Sequence, residues 1–73
     1  MFIQVQSMTE AVRMRKRLRG KGIQSAVVQT PPHLRRGGCG YSLQIHEKAL
    51  SAAEEAAREI GVHILGVFRS DFV

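Results

Sequence analysis

The apolar residues of this chain change their spacing in a definite order, and that order leaves few folds open. Over residues 2–6 they alternate, with Ile3 and Val5 on one side, as in a half-buried strand. Over about residues 8–19 they recur at helical spacing, with Ala11, Met14 and Leu18 as the stripe and Val12 at its margin. Ser7 with Glu10 three residues on is a capping-box pattern, in which hydroxyl and carboxylate satisfy free N–H groups at the helix start. Gly20 and Gly22 tolerate the left-handed backbone that ends a helix. A second strand is expected from Ile23 to Thr30, and Pro31 and Pro32 stop it because proline cannot donate to a ladder. Tyr41 to Ile45 alternates as a third strand. A second helix over about Glu47 to Ile60 marks its buried face with Ala49, Leu50, Ala53, Ala56, Ala57 and Ile60, and Gly61 is its expected cap. His63 to Arg69 reads as a fourth strand, with Leu65 and Val67 on one face and Ile64 and Phe68 on the other.

The order β-α-β-β-α-β predicts an α+β, ferredoxin-like domain. Right-handed crossovers give a four-stranded antiparallel sheet with both helices on one face. At 73 residues the chain is one domain, spanning 1–73. A domain this small buries only about 60% of the surface its unfolded chain exposes. Such domains often gain stability as homo-oligomers. The helix-free sheet face is expected to carry Phe2, Gln4, Gln6, Ser42 and Gln44, a mixed set suited to water or to another subunit. This fold hosts many activities, so function has to be argued from a site.

Composition removes several classes of site. A single cysteine makes no internal disulfide and no cysteine-based zinc centre. A free thiol suits a reducing compartment, and the chain shows neither a signal-peptide pattern nor an apolar run near the roughly 20 residues that span a bilayer. A cytoplasmic protein without a membrane partner is the expectation. Three scattered histidines, with no paired-carboxylate site and no phosphate-loop motif, lead to no expected metal or cofactor.

Cys39 is the distinctive group. It lies in the long connection from Pro31 to Gly40, between Gly38 and Gly40 and just after Arg35 and Arg36. Flanking glycines let the backbone approach a ligand closely. Successive N–H groups of such a turn form a nest for an anion. Positive charge and N–H donors favour a thiolate, the species that attacks sulfur or an electrophile. The competing reading is a small buried hydrophobe, the commonest role of a free cysteine. A cysteine hydrolase needs a positioned histidine and an orienting partner. His33 is the nearest candidate, while His46 and His63 lie at strand ends.

The run Thr30-Pro31-Pro32-His33-Leu34, followed by Gly38-Cys39-Gly40, resembles the signature of the selenium/sulfur carrier protein-like family of small bacterial and archaeal domains. Gly22-Ile23, Gly61-Val62 and Gly66-Val67 agree with that resemblance. It implies a transfer component rather than a stand-alone enzyme. Cys39 would accept sulfur or selenium as a persulfide or selenopersulfide. The donor would be a cysteine desulfurase-like protein, and the acceptor stays open. Arg35-Arg36-Gly37-Gly38 stands where the family usually has small hydroxyl residues, so an electrostatic role for the two arginines is the corresponding expectation.

A second functional reading comes from charge. The chain carries a net +5, and Arg13, Arg15, Lys16, Arg17, Arg19 and Lys21 crowd the first helix. Arg13, Lys16 and Arg17 share a face, which suggests a binding module that docks nucleic acid or an acidic protein. Trp is absent, with only three Phe and one Tyr, so a stacking platform for bases is not visible.

Overall fold

A computed structural model of the chain describes residues 1–34 and 40–69. Its elements are β1 (Phe2–Val5), α1 (Met8–Gly20), β2 (Ala26–Gln29), β3 (Tyr41–Gln44), α2 (Leu50–Ile60) and β4 (Ile64–Phe68). Single 3₁₀ turns at Pro32–Leu34 and Glu47–Ala49 complete the order. The strands form one sheet in the order β2-β3-β1-β4, and every neighbouring pair is antiparallel. This is the ferredoxin-like arrangement that the hydrophobic pattern predicts.

Each helix forms for reasons that are local in the sequence. Ser7 is extended, and its Oγ accepts from the Glu10 N–H at 3.2 Å, so the cap of α1 sits where the capping-box pattern puts it. At the other end Gly20 is still helical, and the left-handed residue is Gly22, at φ +78°. The Gly22 N–H donates to Arg19 O and the Ile23 N–H to Leu18 O, the bond pair of a Schellman motif. The motif turns Ile23 back onto the core. The start of the second helix differs from its expected bounds. Residues Glu47–Ala49 form a 3₁₀ turn, because the His46 Nδ1 accepts from the Lys48 N–H at 3.1 Å and tightens the entry. Gly61 ends α2 in the left-handed conformation, at φ +73°.

The core lies between the sheet and the helices. Ile3 and Val5 of β1 and Leu43 of β3 face Ala11, Met14 and Leu18 of α1 and Ala53, Ala56 and Ala57 of α2. One apolar layer of the central strands therefore receives both helices. The alanines of α2 let that helix approach closely, while Met14 and Leu18 supply the volume.

Two expectations about side-chain direction need correction. The register of β1 with β4 shifts between Gln4 and Val5: Gln4 pairs with Gly66, but Val5 pairs with Ile64. Leu65 is the extra residue of a β-bulge, and one extra residue reverses the alternation. Ile64 therefore packs against the core, whereas Phe68 lies opposite Phe2 on the other face. The centre of the helix-free face is also dry. Gln4 and Ser42 are fully buried and Phe2 nearly so, while Gln6 and Gln44 are exposed. Gln4 pairs with Ser42 on one side and with Gly66 on the other, and Ser42 is in turn bonded to Thr30. Among the described residues no helix is long and apolar enough to cross a membrane.

The shared core layer has a direct consequence for stability. Leu18→Ala is expected to cost about 2–5 kcal/mol in urea unfolding followed by far-UV circular dichroism. Val12→Ala, on the exposed side of the same helix, should stay within about 0.5 kcal/mol.

Candidate functional site

The long connection springs from a hairpin whose two ends are tied together. The Thr30 N–H donates to Gly40 O at 2.5 Å, one step beyond the last β2–β3 pair, Gln29 with Tyr41. The Thr30 Oγ1 is also hydrogen-bonded to the Ser42 Oγ, and both residues are buried. Ser42 pairs across the sheet with Gln4, which is itself fully buried. Gln4, Ser42 and Thr30 thus form a polar group on the helix-free face, and it ends at the residue where the loop re-enters the sheet. Pro31 turns the chain away, and residues Pro32–Leu34 make one 3₁₀ turn.

Gly40 is buried and takes φ +80°, a backbone conformation that any side chain would strain. The other loop residues singled out from sequence, Arg35, Arg36, Gly38 and Cys39, lie outside the described residues. What the structure does place is the two ends of the connection, Thr30 bonded to Gly40, and the Ser42 hydroxyl bonded to Thr30. Gln4 and Ser42 were expected on an open face. The signal for Ser42 is its symmetry with Thr30, since two hydroxyl residues flank the loop at its two ends. Gln4 carries no such signal, because alternation alone does not say which face is dry.

The histidines are dispersed. His46 caps the 3₁₀ turn, His63 is exposed before β4, and His33 is exposed within the Pro32–Leu34 turn. Among the described residues no three His, Cys, Asp or Glu side chains lie together as a metal site.

The basic helix is partly occupied by the chain itself. The Arg13 Nη2 donates to Ile60 O at 2.7 Å, at the C-terminal end of α2, where carbonyls lack helical partners and the dipole favours a cation. Arg17 and Lys21 both reach Glu59 Oε1, at 3.0 Å and 2.9 Å. Hydrogen bonds from Lys21 and then from Arg17 hold the Glu59 carboxyl below its ordinary value of 4.5. Of the three expected docking residues, Arg13 and Arg17 are engaged in these contacts between helices. Lys16 has no partner among the described residues.

The family model described as "Putative Se/S carrier protein-like" matches residues 1–69 of the chain. The chain belongs to this family. The match runs through both halves of the fold and across the Thr30–Gly40 frame. No curated protein and no solved structure matches the chain.

Two measurements follow. Thr30→Val leaves the buried Ser42 hydroxyl without its partner and should cost about 1–3 kcal/mol. Replacing Thr30 by Val and Ser42 by Ala together should cost clearly less than the sum of the single changes, as a double-mutant cycle would read. The Glu59 contribution should depend on pH in one direction. A carboxyl whose folded pKa is lowered stabilises the fold above its unfolded value, and that contribution is lost as pH falls through the folded value. Wild type should therefore exceed Glu59→Gln in stability at neutral pH. The gap should close on acidification through the carboxylate range.

Proposed function

We propose that the protein carries sulfur or selenium on Cys39, between a donor protein and an acceptor. What supports this reading is the family match over residues 1–69 together with a count: the chain has one thiol, and a chalcogen held covalently by a protein side chain needs one. The transfer is an exchange between sulfur atoms. The Cys39 thiolate attacks the outer sulfur of a donor persulfide, and a new S–S bond forms. The S–S bond of the donor breaks, and its own thiolate leaves with the electron pair. One persulfide and one thiol go in and one of each comes out, so no external oxidant is required. Selenium follows the same balance, with a donor selenopersulfide.

The frame around the loop suits this chemistry. A carrier has to present its sulfur to two partners in turn while the anion stays stabilised. Gly40 gives the backbone after Cys39 a conformation closed to other residues. Thr30 clamps the loop exit to its entry through both its N–H and its hydroxyl. Arg35 and Arg36 have the charge that lowers the pKa of a thiol or persulfide, and Gly38 gives access. A cysteine desulfurase-like protein is the donor that fits, since it presents sulfur as a persulfide. A reducing compartment, the cytoplasm above all, keeps the single thiol free.

Intact mass spectrometry after incubation with a desulfurase and cysteine tests the reading. The protein should gain one sulfur atom, lose it to reductant, and fail to gain it as Cys39→Ser. Absence of the adduct with every sulfur or selenium donor tried would sink the carrier role. Replacing Arg35 and Arg36 together by Gln should slow the initial rate of loading, because less of the thiol is then ionised.

A further inference from the structure

The end of the β2–β3 hairpin away from Gly40 carries a second, separate feature. A recess of about 520 Å³ lies between the last turns of α1 and the segment that follows it, lined by Arg15, Arg19, Gly22, Ile23, Gln24 and Ser25. Arg15 and Arg19 are one helical turn apart and exposed. Neither guanidinium has a partner among the described residues, although Arg13, Arg17 and Lys21 of the same region all do. Among the described residues no acidic side chain lines the recess to offset this pair. The Ser25 Oγ, shielded from water, has no hydrogen-bond partner among the described residues. A buried hydroxyl without a partner is unfavourable in the empty protein, and so are two like charges at this spacing. An anion in the recess offsets the repulsion of the arginines, and a small rotation of the Ser25 side chain toward it gives the hydroxyl a partner.

We propose that this recess binds the phosphate group of a small phosphorylated molecule. Two guanidinium forks match the oxygens of a phosphate bidentately, and the dianion balances both charges. A carboxylate would leave one arginine uncompensated. In the occupied recess the Ser25 hydroxyl turns to the ligand and donates to a phosphate oxygen. Gly22, at φ +78°, holds the turn that brings the segment against Arg19. The volume exceeds that of inorganic phosphate and leaves space for the body of an ester. Beyond Gln24 the surface continues into a shallower recess bordered by His46 and Lys48, which adds cationic character on that side. Ser25 and Thr30 stand at opposite ends of β2, roughly 16 Å apart at ~3.3 Å per residue. The phosphate site is thus independent of the thiol and stands or falls without it.

Proton–nitrogen correlation spectra of the labelled full chain test the site directly. Inorganic phosphate, glycerol phosphate and acetate are titrated at constant ionic strength. The two phosphates should shift the amides of Gly22, Gln24 and Ser25 and saturate, while acetate should not. Tighter binding of the ester assigns the rest of the recess to its body, and equal binding assigns the phosphate group alone. Arg15→Gln combined with Arg19→Gln should weaken binding on the order of tenfold or more. Lys16→Gln, a single charge loss on the same helix outside the recess, should leave it unchanged. Ser25→Ala should weaken binding while the unfolding midpoint of the free protein holds or rises, which a structural serine would not do. The spectra also report that each variant is folded. Equal response to acetate, equal loss in Lys16→Gln, shifts spread beyond the recess, or wild-type affinity in Ser25→Ala would each overturn the assignment.

Discussion

The apolar layer that β1 and β3 present to the helices is the constraint on which the rest depends. Ile3, Val5 and Leu43 are fully buried, and both helices close over them. A chain this short has little other surface to bury, so neither helix has a stable position away from that layer. The close fit of Ala53, Ala56 and Ala57 brings α2 beside α1. That proximity lets Arg13 reach the end of α2 and brings Arg17 and Lys21 onto Glu59. Three of the basic side chains in and just after the first helix are therefore engaged with the second.

The same layer sets the hairpin of β2 and β3, and the hairpin separates two chemistries. At one end Thr30 is bonded to Gly40 and to Ser42, which pairs with Gln4, where the connection that contains the thiol leaves and re-enters the sheet. At the other, Ser25 and the Schellman turn of α1 meet two arginines without partners.

Local rules explain why so much of the fold was legible in the residues. Helix caps, glycine stops and alternation act over a few positions, so Ser7, Gly61 and the stripe of Ala11, Met14 and Leu18 could be placed without any tertiary information. The errors arose where distant segments meet. The bulge at Leu65 reversed the faces of Ile64 and Phe68, because strand register is settled by the partner strand and not by the strand alone. The burial of Gln4 was missed for the same reason: a polar residue on an alternating strand is read as solvated until its neighbours across the sheet are known.

The sequence by itself determined the order of elements, the family resemblance and the place of the single cysteine. Each of these depends on residue type and spacing, which the chain holds before it folds. The tertiary structure decided what surrounds those residues. It joined Thr30 to Gly40 and Ser42, tied Arg13, Arg17 and Lys21 to α2, and left the side chains of Arg15, Arg19 and Ser25 together without partners among the described residues. Those outcomes depend on which groups meet across the core, and a hydrogen bond or ion pair forms only within a few ångströms, whatever the separation along the chain.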